Sequence, residues 1–206
     1  MARWEPNARD RLVDAALELF HERGYSGTTV EEIAARAGLT ERTFFRYFAD
    51  KREVLFGRSG ELEKVIADGI GSAPATAAPL DAVVGALEIA AADFPPRRDY
   101  RARRDLIAAH PELQERELIK LASLAAAIAG SLRARGVADP AASLAAEAGI
   151  AVFKTAFERW VGGPKQHALP HHIRAALEEL KVVTAGGAAP STNDAATKSK
   201  RRSSKR

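Results

Sequence analysis

Apolar residues recur at helical spacing along almost the whole chain, and no stretch alternates apolar and polar residues in the manner of a strand. Leu12, Ala16, Leu19 and Phe20 form one stripe, so a helix is expected from Ala8 to Arg23 with Asn7 as its cap. Val30, Ile33, Ala34 and Ala37 form the next stripe, opened by Thr29 and Glu32 at capping-box spacing and closed by Gly38. Thr40 can cap a further helix, Glu41 to Phe48, in which Phe44 and Phe48 share a face. Asp50 and Glu53 make a second capping-box pair, predicting a helix from Lys51 to about Asp68 with Leu55, Leu62 and Ile66 inward.

Beyond this point the pattern predicts a larger bundle. Gly69 to Pro79 is rich in breakers and reads as a loop. A helix from Leu80 to Phe94 stops at Pro95-Pro96, and His110-Pro111 opens a long one to about Arg135, ended by Gly136. Asp139-Pro140 starts another, to about Val161, carrying Phe153, Phe157 and Trp160. After Gly162-Gly163-Pro164 a last helix, His171 to Thr184, has Leu169, Ile173, Leu177 and Leu180 on one side. The fold class is therefore all-α: a small N-terminal helical unit over residues 1–52, a helical bundle over 53–184, and a polar tail over 185–206.

Composition narrows the classes. The 206 residues are 46% hydrophobic and 28% charged, a soluble globular balance with ample length for a core. Cysteine is absent, which removes disulfides, thiolate chemistry and cysteine-type zinc sites. No apolar run reaches membrane-span length and no signal segment is visible, so a cytoplasmic protein is expected. The net charge of +4 is misleading. Lys198, Lys200, Arg201, Arg202, Lys205 and Arg206 against Asp194 put +5 in the tail, leaving about −1 for the rest. Any affinity for nucleic acid must come from a local patch, helped by phosphate contacts from the tail or from an N-terminal arm carrying Arg3 or Arg9.

That patch is at hand. Helix, glycine turn and helix over Thr29–Phe48 is the helix-turn-helix pattern, whose second helix enters the DNA major groove. With Phe44 and Phe48 turned inward, Thr40, Arg42, Thr43, Phe45, Arg46 and Tyr47 lie on the other sides. Arginine can bond two acceptors on guanine, threonine can donate or accept, and an aromatic can pack on a thymine methyl. Thr40, Arg42, Thr43 and Phe45 are expected at base edges, and Tyr47 and Lys51 at phosphates. Lys51 has the added advantage of opening a helix whose amides favour an anion. Thr29 and Arg46 complete the expected DNA-binding set.

Leu12 to Leu55 resembles the DNA-binding domain of the TetR family of bacterial regulators. The resemblance rests on Gly38-Leu39-Thr40, Thr43-Phe44-Phe45-Arg46-Tyr47-Phe48 and Asp50-Lys51. The family's usual Leu-Tyr pair is here Phe44-Phe45, and its usual histidine is Tyr47. The resemblance implies a homodimer on a palindromic operator, most often a repressor released by a small effector, with no cofactor. It also implies dimerisation through the last two helices, with Phe157, Trp160, Ile173, Leu177 and Leu180 as the expected interface residues. The arginine run from Arg97 to Arg104 beside an apolar bundle makes Arg101 and Arg104 candidates for the rim of an effector site with an anionic head.

Two other classes compete. A metal enzyme would have to use His167, His171 and His172, but Pro170 lies between them and no carboxylate follows until Glu178, so surface histidines are the simpler reading. An architectural DNA-binding protein without ligand would not need some 130 residues of further bundle. A transcriptional regulator without enzymatic activity is the expectation.

Overall fold

The computed structural model describes residues 8–186 other than 58, 93, 95–96 and 164–166, with backbone alone at 97–99. Arg3 and the basic tail from residue 187 lie outside the described residues, whereas Arg9 sits in the first turn of the first helix with its guanidinium 5.7 Å from the Phe48 ring centroid. Nine α-helices are present among the described residues: α1 Ala8–Arg23, α2 Val30–Arg36, α3 Glu41–Tyr47, α4 Ser59–Ser72, α5 Pro79–Ala92, α6 Arg97–Ala109, α7 Pro111–Ala134, α8 Asp139–Gly162 and α9 Leu169–Thr184. A single 3₁₀ turn, Arg52–Phe56, precedes α4.

Two apolar clusters organise them. The first joins the α1 stripe (Leu12, Ala16, Leu19, Phe20) to Ile33, Phe44, Phe48, Val54, Leu55 and Phe56, and takes in Ile107 and Leu113 from the corner between α6 and α7. The second is mostly aliphatic and draws on α4, α5, α7, α8 and α9. Burying a side chain such as Phe44 or Leu12 completely contributes about 1.5–3 kcal/mol. Two glycines bring helices close to α5. A Cβ on Gly69 of α4 would stand 2.8 Å from the Ala86 Cβ, and one on Gly149 of α8 would stand 2.5 Å from Val83 Cγ1.

Two expectations need correction, and one helix is additional to them. The helix from Lys51 to Asp68 is two pieces, a 3₁₀ turn and then α4, because Asp50 caps a tight turn and the Gly57 amide bonds back to the Val54 carbonyl at 3.2 Å. The predicted loop from Gly69 is helical to Ser72, since Ile70 belongs to the buried stripe and outweighs two glycines. The arginine run, to which the sequence pattern assigns no element, is a helix, α6, from which Arg101 and Arg103 reach the carbonyls of Val161 and Leu55.

Local signals fared better. Pro111 opens α7, and Gly136, at φ +85°, follows its end. Arg135 there donates to the carbonyls of Ile70, Ala73 (3.0 Å) and Pro74 (2.8 Å), closing the turn between α4 and α5.

Candidate nucleic-acid interface

Thr29 caps α2 in the expected way. Its hydroxyl accepts from the Glu32 amide at 3.2 Å, and the Glu32 carboxylate accepts from the Thr29 amide at 2.9 Å. That amide, with Thr29's hydroxyl and Arg23 behind it, holds Glu32 below the usual carboxylate range. At the other end of α2, Gly38 takes φ +65°, and its amide and that of Leu39 return to the carbonyls of Ala35 (2.9 Å) and Ala34 (2.8 Å). The Arg11 guanidinium donates to the Ala37 carbonyl, and a Cβ on Gly38 would come within 2.8 Å of that guanidinium. The left-handed backbone is what favours glycine in the turn, since the Arg11 side chain could swing away from a Cβ.

α3 follows at once. The Thr40 hydroxyl accepts from the Thr43 amide at 3.2 Å and sits 3.1 Å from the Thr43 hydroxyl. Phe44 and Phe48 are buried against each other at a 5.4 Å ring separation. Phe45 is 53% exposed, and Thr40, Arg42 and Arg46 are exposed with it. Arg46 lies 4.9 Å over the ring of Tyr47 and donates to its hydroxyl at 3.1 Å. One short helix thus carries two threonine hydroxyls, two guanidinia, an exposed phenyl ring and a phenol outside its buried edge.

Lys51 is used differently from expectation. Its Nζ donates to the carbonyls of Tyr25 at 2.7 Å and Thr28 at 2.8 Å and lies 4.2 Å from the Tyr25 ring centroid. Burial pushes its pKa down, opposed by Glu112. The amides it was expected to share with a phosphate are taken: the Asp50 carboxylate accepts from Arg52 at 2.8 Å and Glu53 at 3.2 Å. Hydrogen bonds from the Arg52 side chain are the main reason the Asp50 carboxyl lies low. Lys51 thus braces the turn between α1 and α2 through two carbonyl bonds.

Contacts that the sequence does not signal join this unit to the bundle. Arg103 of α6 donates to the Leu55 carbonyl at 3.1 Å and lies 5.0 Å from the Phe56 ring centroid. Glu53, only 15% exposed, pairs with Arg116 and with Lys120, the latter at 3.1 Å. The His110 ring packs 5.0 Å from that of Tyr25.

Of the expected interface residues, Trp160, Ile173 and Leu177 are buried within the single chain, and Phe157 and Leu180 are half-buried. Ile173 is 0% and Leu177 6% exposed within the single chain, because the apolar side of α9 packs on α5 and α8. Trp160 is likewise buried, and Phe157 and Leu180 pack against the same core. Buried side chains have no surface to give to a second subunit, so Ile173, Leu177 and Trp160 are internal core. Arg101 donates to the Val161 carbonyl at 2.7 Å, and Arg104 to Asp105 at 2.6 Å, so neither stands as an open anion rim. His167 and His171 stack at 4.1 Å, but no group of three or more potential ligands is arranged for a metal among the described residues. Nor is any helix among the described residues long and apolar enough to cross a membrane.

Residues 12–56 match the model of the tetR family of bacterial regulatory proteins, and residues 77–185 match that of the MftR C-terminal domain. The chain belongs to the TetR family. It is accordingly a DNA-binding transcriptional regulator and not an enzyme. A relative of this TetR-family chain is the HTH-type transcriptional regulator TcmR of Streptomyces glaucescens, 42% identical over 78 residues, which span 38% of this chain and only 34% of TcmR. Among solved structures, SmeT of Stenotrophomonas maltophilia, in complex with triclosan, matches with a TM-score of 0.57 at 20% identity over 86% of this chain and 90% of that one. FadR of Bacillus subtilis, in complex with stearoyl-CoA, matches with a TM-score of 0.55 at 20% identity over 83% and 96%. These two likenesses concern the fold.

Proposed function

We propose that this TetR-family chain is a cytoplasmic homodimeric repressor that grips a palindromic operator through α3 and releases it on binding a small hydrophobic or amphipathic effector. The observation that carries this reading is the division of α3 into a buried edge, Phe44 with Phe48 beyond it, and an outer set of exposed Thr40, Arg42, Phe45 and Arg46 with half-buried Thr43 and Tyr47. Thr40, Arg42, Thr43 and Phe45 read base edges. Tyr47, with Arg46 laid across its ring, contacts phosphate, and Thr29 stands at the adjacent start of α2. The complexes of SmeT with triclosan and FadR with stearoyl-CoA support a small-molecule effector for the same fold.

In this reading the N-terminal unit reads DNA, residues 53–184 sense the effector and form the dimer, and residues 185–206 are a basic tail. The membership of Val54, Leu55 and Phe56 in the first apolar cluster favours setting the division just after Phe56. The dimer forms through outward positions of α8 and α9, where Leu144 (71% exposed), Val182 and Val183 (57%) offer apolar surface. Two readers on one side of the dimer then meet half-sites ~34 Å apart or a multiple of it. Effector binding reaches the reader through the α6–α7 corner, which supplies Ile107 and Leu113 to the reader's core. An effector that favours the conformation with misplaced readers must weaken DNA binding by the same factor.

Selection of genomic fragments on the purified protein tests the reading. Enrichment of an inverted-repeat sequence that binds a dimer supports it, and binding no better than to random DNA overturns it.

A further inference from the structure

All five aromatic residues that follow Phe56 in the sequence, Phe94, Tyr100, Phe153, Phe157 and Trp160, meet in one cluster. Phe94 stacks on Tyr100 at 5.1 Å and meets Phe153 edge-on at 6.4 Å. Tyr100 reaches Phe157 and Trp160, each at 5.6 Å, and Phe157 stands 5.9 Å from both Phe153 and Trp160. The rings come from the end of α5, the start of α6 and the last three turns of α8. The rest of that core is aliphatic, and its fully buried large side chains are leucines and isoleucines. Apart from Trp160, every ring of the cluster is only half-buried, unlike Phe44 in the reader.

Filling volume does not require this arrangement. These rings are gathered together with ring surface left over, whereas Phe44 and Phe48 of the reader are both buried. Of the described charges beside them, Arg104 holds Asp105 with Glu158 at 4.0 Å, and Arg101 donates to the Val161 carbonyl. A ligand seated there meets the faces and edges of four half-buried rings. Rings with offset or edge-on neighbours gain energy from a further planar ring that a saturated chain cannot supply.

We propose that this cluster is the effector site of the regulator and that it takes a planar, fused-ring aromatic molecule. This rests on the ligand-responsive reading above and gives it a chemical class.

Trp4 and Trp160 are the only tryptophans, so Trp4→Phe leaves Trp160 as the sole indole reporter. The full-length Trp4→Phe protein is titrated with 1,8-dihydroxyanthraquinone and, separately, with dodecanoate. The quinone is expected to quench Trp160 saturably and to bind at least tenfold more tightly than dodecanoate. Tyr100→Leu and Phe157→Leu should each weaken it by roughly 3- to 10-fold, with far-UV circular dichroism unchanged. Equal or tighter binding of dodecanoate overturns the proposal, as does wild-type quinone affinity in both folded leucine variants. If the leucine variants do not fold, the comparison of the two probes on the Trp4→Phe protein decides alone. Operator release is followed separately. Saturable quinone binding that leaves the operator complex intact counts against the ligand-release reading and not against the ring site. Release by dodecanoate with no quinone binding overturns the ring site and leaves the regulator in place.

Discussion

Arg103 of α6 donates its Nε–H to the carbonyl of Leu55, 48 residues earlier in the chain, at 3.1 Å. Its guanidinium also lies 3.6 Å from Glu117 of α7, so one side chain fastens the reader, α6 and the start of α7 together. Arg103→Met should leave the Leu55 carbonyl and Glu117 without this partner and cost about 1–3 kcal/mol. In a chain of this size that is a fall in Tm of roughly 3–9 °C, read by thermal denaturation. A Tm within a degree of the parent would mean that the contact holds nothing.

Phe44 and Phe45 are neighbours with opposite fates. Phe44→Ala empties a fully buried site and should cost about 3–5 kcal/mol. Phe45→Ala removes an exposed ring, should stay within about 0.5 kcal/mol in stability, and should lower operator affinity. Chemical denaturation beside fluorescence anisotropy on operator DNA separates the two effects.

Arg42 and Lys51 should differ in kind. Arg42→Ala is expected to cost about 1–3 kcal/mol and to relax discrimination at one base position. Lys51→Ala should act through stability, by releasing the Tyr25 and Thr28 carbonyls, and leave the salt slope of DNA binding unchanged. A slope reduced by about one unit in Lys51→Ala would return the residue to the phosphate backbone.

Burial raises the Glu53 carboxyl, but hydrogen bonds from Arg116 and Lys120 more than reverse this and leave it below the ordinary range. A carboxyl with a folded pKa below its unfolded one stabilises above the unfolded value, about 4.3, and loses that contribution as pH falls through the folded pKa. Glu53→Gln should therefore be less stable than the parent near neutrality, with the gap closing below about pH 4. Unfolding curves from pH 7 to pH 3 give the comparison, and a gap constant with pH would exclude the ion pairs as its cause.

Sedimentation should distinguish the outer from the inner side of α8 and α9. Leu144→Asp with Val183→Asp is expected to give folded monomers that bind operator poorly. Ile173→Asp should unfold the bundle, since it buries a charge within one chain. A double variant that remains a dimer would move the interface away from these positions.

What the sequence discloses is mostly what lies within one turn of chain. The capping box of Thr29 and Glu32, the left-handed Gly38, the Thr40 cap and the proline start of α7 each depend on neighbours three or four residues away, and each is legible. The inward stripe of α9 is also legible as a buried face. Its partner is not, because Ile173 and Leu177 pack on an aliphatic helix face of the same chain as readily as on a second copy. Lys51 and Arg103 escape for the same reason: their acceptors are backbone carbonyls 23 to 48 residues away, and carbonyls leave no mark on composition. The break between Phe56 and Ser59 turns on which capping geometry Asp50 adopts, a choice that an Asp-x-x-Glu spacing leaves open.

The close approaches of Gly69 and Gly149 to α5 act as detents. Sliding α8 by one turn would bring Ala145 or Phe153 to the place of Gly149, where Val83 leaves no room for even a methyl group. Sliding α4 by one turn would press Val65 or Ala73 on Ala86 in the same way. Helices α4 and α8 are therefore each held in register against α5, whereas α6, the helix that carries both Tyr100 at the ring cluster and Arg103 at the reader, has no such glycine contact among the described residues.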